Sequence, residues 1–300
     1  MRFLFLFLTF FAAGCASDKP VPQASDVIAE GLIVPKEITS PGTEARYWAY
    51  NNFVVHLVTN INEQNKSKTP IIYVHGLGGN LTGFAPLINL MHRSKAGRPF
   101  YALDLPPFGE SIMRNADLKI HDYTEMLQEF IAQLGVPKVN LVCHSMGGQV
   151  CIDYALANPG QIQLLTLISP AGTYEKSPFV NGATNHFVGI NVGSVDGPGT
   201  IAIGDLSWYD QNFARRMLTD NPLVLVGIES FRLNFHNRIQ KLKTQTLIIW
   251  GRDDQIFDFV NGAYLKENIE NSVFYVIDGA DHTSFRTHSE LIAKLIQKYL

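Results

Sequence analysis

Ser145 stands inside "VNLVCHSMGGQV", where a short apolar run gives way to small residues and then to a helical pattern. A hydroxyl at such a junction is held clear of the backbone, and it can attack a carbonyl once a base removes its proton. The base in turn needs a carboxylate to orient it. Candidate acids and bases lie far downstream: "WGRDDQIF" carries Asp253, Asp254 and Asp258, and "DGADHTSF" carries His282. The stretch "HGLGGN", His75 to Asn80, can turn backbone N–H groups toward a developing oxyanion. One such donor contributes about 3 kcal/mol.

Each piece has a plainer explanation when taken alone. A glycine-rich stretch is a flexible loop, an Asp pair after a strand is a helix cap, and any one of nine histidines is a packed or surface imidazole. Cys143, two residues before Ser145, is intrinsically the better attacker. It attacks only as thiolate, however, and a free thiol titrates at about 8.5. It also lies within the strand, short of the bend, where it would be covered. His144 reads as structural, its side chain leaving the bend in another direction.

Strands and helices must bring these pieces together. "ARYWAY", Asn51-Asn52 and "FVVHLV" predict two strands joined by a tight turn, because Asn tolerates the positive φ such turns need. Continuous apolar runs follow at Pro70–His75, Phe100–Leu105, Val139–Cys143, Leu164–Ser169, Thr246–Trp250 and Val273–Ile277. Runs that are apolar throughout mark strands covered on both faces. Helical patterns fill the gaps: Phe84 to Arg93, "YTEMLQEFIAQLG" with its glycine stop, "MGGQVCIDYALANP", and the closing "SELIAKLIQKYL". The expected fold class is therefore α/β, a mostly parallel sheet flanked by helices with right-handed crossovers. From Ala171 to Lys243 no strand-like apolar run occurs at the right spacing. That region is rich in glycine and aromatic residues (Phe179, Phe187, Trp208, Tyr209, Phe213) and ends in a helical "NPLVLVGIESFRLNF". It reads as a cap or lid insertion after the sixth strand, over the carboxyl edge where such sheets bind ligands.

In that setting Gly147 relieves the crowding of a strained turn and Gly148 lets the helix pack close, which makes the turn a nucleophile elbow. "CHSMGG" resembles the Gly-x-Ser-x-Gly signature of the α/β-hydrolase family, with Cys143 where glycine is usual. "DLPPFGES", Asp104 to Ser111, is similar to the Asp-Leu-Pro-Gly-Phe-Gly-x-Ser stretch common after the fourth strand, with Pro107 replacing a glycine. The resemblance covers about Ala45 to Leu300. It implies a chain order of nucleophile, acid and base, which assigns Ser145, Asp254 and His282. Asp254 follows from aligning Gly251 with the usual Gly-x-x-Asp; Asp253 is the alternative acid and Asp258 a more distant one. It also implies an oxyanion hole made by the amides of Leu77 and Met146.

The activity implied is that of a serine hydrolase cleaving carboxylic esters through an acyl-enzyme, lipase- or esterase-like, with no cofactor and no metal. The same triad serves carbon–carbon bond hydrolases, amidases and acyltransferases, and some chains of this fold are binding proteins without catalysis. The aromatic, weakly charged insertion favours a small ester with an apolar acyl or aryl group.

Composition sets the outer bounds. Three hundred residues, 46% hydrophobic and 17% charged, can bury a large core in one large domain or two ordinary ones. A formal charge of -3 with scattered Lys and Arg argues against nucleic acid as a partner. The amino terminus, "MRFLFLFLTFFAAGCAS", has one positive charge, an apolar run and then small residues. The run is shorter than the roughly 20 residues that span a bilayer and reads as a secretory signal. Its "AAGC" end resembles a bacterial lipobox, in which Cys15 becomes a lipidated first residue. Several acyl groups anchor stably where one chain is marginal. The chain is thus expected to be exported and held at a membrane facing the periplasm or exterior, with the outer membrane favoured in a Gram-negative cell because Ala16 follows Cys15. Residues 1–15 form the signal, 16–40 a tether, 41–170 and 244–300 the hydrolase core, and 171–243 the insertion. Cys143 and Cys151 are expected to be free, buried thiols whose side chains enter different layers.

Overall fold

The computed structural model describes residues 32–95, 97–113, 119–173, 188–194, 197–203, 226, 230 and 233–300. The elements in order are β1 (Glu44–Tyr50), β2 (Phe53–Thr59), β3 (Ile71–Val74), α1 (Ala85–Met91), β4 (Phe100–Leu103), β5 (Ile112–Met113), α2 (Ile120–Leu134), β6 (Val139–His144) and α3 (Met146–Ala157). They continue with β7 (Ile162–Ile168), β8 (Val188–Ser194), β9 (Gly197–Ile203), β10 (Thr246–Gly251), α4 (Val260–Asn268), β11 (Ser272–Ile277), α5 (Ser284–Thr287) and α6 (Ser289–Tyr299).

β1 and β2 form a hairpin whose closing pair is Tyr50 and Phe53, and Asn51 takes the positive φ of 48° that the turn requires. The main sheet runs β1-β2-β4-β3-β6-β7-β10-β11, with the short β5 also paired to β2. From β4 to β11 every neighbour is parallel, while β2 is antiparallel to both β1 and β4. β3, β4 and β6 are buried along their whole length, as their unbroken apolar sequences require.

Two apolar layers cover the sheet. Val139, Leu141 and Cys143 of β6 join α2 and α3 residues such as Phe130, Val150 and Cys151 in one. Val142 of the same strand joins Leu87 and Ile88 of α1 and Ile292 and Ile296 of α6 in the other. The period of two along β6 therefore decides which layer each residue enters. α2 stops at Gly135, which adopts φ 64°, the left-handed conformation that suits a glycine at a helix end.

Three features differ from the sequence expectation. β8 and β9 form a separate antiparallel pair, from Val188 opposite Ile203 to Ser194 opposite Gly197, within the region where no strand was expected. The expectation followed continuous apolar runs, whereas Val188, Ile190 and Val192 alternate with Gly189, Asn191 and Gly193, the period of a half-covered strand. Glu37–Ser40, inside the expected tether, are docked on the domain: Thr39 N donates to Asn89 Oδ1 at 2.8 Å, Asn89 donates to the Glu37 carbonyl, and Ser40 Oγ donates to the His92 carbonyl. Cys143 and Cys151 are joined in a disulfide, with Cα atoms 6.6 Å apart. The free-thiol expectation fails because both side chains face the same layer.

The signal segment with Cys15, the aromatic residues Phe179, Phe187, Trp208, Tyr209 and Phe213, and most of the helix expected over 221–235 lie outside the described residues. Among the described residues, no helix is long and apolar enough to cross a membrane.

Candidate active site

β6 ends at His144 and α3 begins at Met146, so Ser145 alone makes the turn between them. It does so at φ 51°, ψ −120°, a conformation that non-glycine residues hold only when the surroundings enforce it. Three backbone bonds enforce it here. Ser145 N donates to Ile168 O at 3.1 Å, and its carbonyl accepts from Gly148 N at 2.8 Å and from Ala171 N at 3.0 Å.

The neighbouring glycines are obligatory for space. A Cβ at Gly147 would stand 2.4 Å from the Val74 carbonyl oxygen, and one at Gly76 would stand 2.7 Å from Ser145 Cβ. A Cβ at Gly148 would meet Pro170 Cβ at 2.6 Å. The turn is therefore wedged between the end of β3 and the segment after β7.

The disulfide lies directly beneath it. Cys143, two residues before Ser145, is bonded to Cys151 on the second turn of α3, so the cross-link spans the elbow from strand to helix. A sulfur held in this bond is not a thiolate, which removes Cys143 as an alternative nucleophile.

Asp254 follows β10 and His282 follows β11, and the parallel pairing of those strands brings the two loops together. His282 Nδ1 and Asp254 Oδ2 are 2.8 Å apart. Asp254 Oδ1 accepts from the amides of Ile256 at 2.9 Å and Phe257 at 3.0 Å. Burial alone would raise the Asp254 carboxyl, but the hydrogen bond and charge of His282 and the two amides bring it below the ordinary carboxylate value. Asp253 and Asp258, the alternative acids, are exposed. Asp253 N donates to Ala280 O, and Asp258 Oδ1 accepts from Val260 N in a turn at the start of α4. Gly251, the last residue of β10, leaves room for the second loop: a Cβ there would stand 2.3 Å from the Ala280 carbonyl oxygen.

His144 joins this pair to the serine turn. Its ring is buried, 4.7 Å from the His282 ring and 4.5 Å from that of Phe285. Its Nε2 lies 2.9 Å from the His282 carbonyl oxygen. A carbonyl only accepts, so Nε2 carries the proton. Burial, reinforced by the His282 charge, keeps His144 well below the ordinary imidazole value, so it is neutral near pH 7.

Leu77 lies half-buried on the loop after β3, and Met146 is buried at the first position of α3, directly after Ser145. The first amides of a helix have no partner within it, so Met146 N–H starts a set of donors at the turn. The β3 loop is held by His75, which is buried: Nδ1 donates to Gly76 O at 2.7 Å and Nε2 accepts from Leu105 N at 2.8 Å. Farther along, Asp104 takes the amides of Leu81 at 2.7 Å and Glu110 at 3.0 Å and pairs with His56 Nδ1 at 2.8 Å. The segment bordering the site is thus locked to the loop that carries Leu77. His75 and Asp104 were legible as parts of motifs; these partners were not.

α3 is also bonded to residues of the segment before β10. Gln149 Nε2 donates to the carbonyls of Ser230 at 2.6 Å and Leu233 at 2.9 Å, and Ser230 Oγ donates back to Gln149 Oε1.

Comparison with known proteins agrees with the α/β-hydrolase fold. A model of the alpha/beta hydrolase fold matches residues 69–191. A 2-hydroxy-6-oxononadienedioate/2-hydroxy-6-oxononatrienedioate hydrolase from Pseudomonas putida is 24% identical over 282 residues, covering 87% of this chain and 98% of its own length. A hydrolase of the same name from Escherichia coli O81 (strain ED1a) is 25% identical over 258 residues, covering 80% of this chain and 89% of its own. Among solved structures, a bacterial membrane phospholipase A superposes with a TM-score of 0.64 at 19% identity, over 86% of each chain. The carboxylesterase CesB of Bacillus subtilis superposes with a TM-score of 0.60 at 16% identity, over 86% of this chain and 91% of its own.

Proposed function

Taking the chain as a protein of the α/β-hydrolase fold, we propose that it is a serine hydrolase that cleaves carboxylic esters. The observation that carries this reading is one connected unit: a carboxylate bonded to an imidazole, whose loop is bonded in turn to the residue preceding a strained serine. Ser145 Oγ attacks the ester carbonyl while His282 Nε2 takes its proton. Asp254 holds Nδ1 protonated, so Nε2 is the free base, and it stabilises the imidazolium that forms. The amides of Met146 and Leu77 receive the oxyanion. His282 then returns the proton to the leaving alcohol, and water repeats the sequence to release the acid. The substrate in this reading carries an apolar acyl or aryl group, and the structural likeness to a phospholipase and a carboxylesterase supports an ester over an amide.

A second reading, carbon–carbon bond hydrolysis by the same three residues, is favoured by the names of the relatives that are 24% and 25% identical. A panel of p-nitrophenyl esters of increasing chain length, an anilide and a 2-hydroxy-6-oxo-dienoate, run on wild type and Ser145→Ala, separates the two. Ester turnover that vanishes in Ser145→Ala, together with loss of fluorophosphonate labelling, supports the first. Serine-dependent cleavage of the dienoate alone supports the second. No serine-dependent turnover of any compound leaves a binding protein of this fold.

The location proposed is an exported one, with a lipid anchor on Cys15 after removal of residues 1–14. Cys15→Ser should release the protein from membranes; unchanged membrane retention counts against the anchor.

A further inference from the structure

Resting on the serine-hydrolase reading, we propose that His144 is a positioning residue for the base. Its peptide is continuous with Ser145, and its side chain holds the loop of His282 by the carbonyl. The two ends of the proposed proton transfer are thereby connected through one residue. The sequence separation bridged is 138 residues, and the bond is 2.9 Å long.

The surroundings leave the imidazole little freedom. One side packs on Phe285 and another on the His282 ring. A Cβ at Gly76 would stand 3.0 Å from His144 Nδ1, so the loop carrying Leu77 closes the remaining side. The charged or titratable groups facing it are His282, Arg286 and His75, and none of them is an anion that would favour a second proton. The ring is therefore a neutral donor with one available direction, the His282 carbonyl. Without that bond the loop keeps its Asp254 contact through the ring of His282 and its turn bonds, such as Ser284 N to Asp281 O at 3.2 Å. It loses the tie that sets its distance from β6.

The test uses the full-length protein and compares wild type, His144→Phe and His144→Gln. Phenylalanine keeps a ring and removes the donor; glutamine places an N–H near the position of Nε2. With a p-nitrophenyl ester, His144→Phe should lower kcat by roughly 10- to 100-fold with little change in KM, because misplacement of a reacting group acts on the chemical step. His144→Gln should recover much of that loss. Hydrogen exchange at the Thr283 and Ser284 amides should quicken in His144→Phe and slow again in His144→Gln, a readout independent of any substrate. Wild-type kcat in His144→Phe, equal losses in both variants, or unchanged exchange in the loop would overturn the proposal. Quickened exchange in a protein whose wild type neither cleaves esters nor labels at Ser145 would instead overturn the hydrolase reading and leave the structural tie intact.

Discussion

Asp254 divides its carboxylate between two kinds of partner, Oδ2 facing His282 Nδ1 at 2.8 Å and Oδ1 accepting the amides of Ile256 and Phe257. The amides fix the rotation of the carboxylate, so Oδ2 has one direction left, toward the imidazole. Asp254→Asn should keep the amide bonds through its own carbonyl oxygen and turn an NH2 toward His282, which forces the opposite imidazole tautomer. Ester turnover is expected to fall by about 10⁴ in kcat, with the circular dichroism spectrum of the folded variant unchanged.

The same bonds make stability depend on pH. A carboxyl whose folded value lies below its ordinary 3.8 stabilises the fold fully above that value, and the contribution is lost as pH falls through the lowered folded value. Urea midpoints of wild type and Asp254→Asn should therefore run in parallel from neutral pH to about pH 5 and converge only under more acidic conditions, below about pH 4. Convergence already at pH 6 would show that another group dominates.

Gly147 and Gly160 provide a matched pair of substitutions. Gly147→Ala would press a methyl group against two backbone carbonyls, 2.4 Å from Val74 O and 2.5 Å from His75 O, neither of which can move alone. It should cost about 3 kcal/mol or more and reduce turnover. Gly160 has nothing within 4 Å of an added Cβ, and Gly160→Ala should stay within about 0.5 kcal/mol of wild type. Chemical unfolding of both variants decides it.

The cross-link between Cys143 and Cys151 closes a sequence separation of 8 residues that contains Ser145. Replacing both cysteines by Ala removes a constraint on the unfolded chain of about 2–3 kcal/mol by the chain-entropy relation. The double variant should unfold at correspondingly lower urea and retain serine-dependent activity at room temperature, since three backbone bonds still hold Ser145. Equal midpoints for the two proteins would show that the bond adds nothing to the native balance.

The strands of the main sheet were legible because burial on both faces demands runs such as "PIIYVH" and "TLIIW", which few other environments tolerate. Asn51 announced its turn, and Ser145 was legible from the glycines around it. Other features depend on geometry that no local pattern carries. The partner of His144 is a backbone carbonyl far along the chain, and any residue could have supplied one. Asp254 stands ahead of Asp253 by the family resemblance, through the alignment of Gly251 with Gly-x-x-Asp, and not by any local pattern. Its contact with His282 is a matter of the fold. Cys143 and Cys151 could be matched only by knowing that α3 folds back over the face of β6 that Cys143 occupies. β8 and β9 carry an alternating pattern that a search for continuous apolar runs passes over.

Both cysteines of the pair are 0% exposed, within the apolar layer that also holds Leu141, Val150 and Tyr154. Thiol exchange needs an attacker to reach sulfur in line, and no reagent can do so through a finished layer. A reductant therefore reaches the bond only when a transient opening lifts α3 from β6. Burial thus shields the cross-link for as long as the domain stays folded.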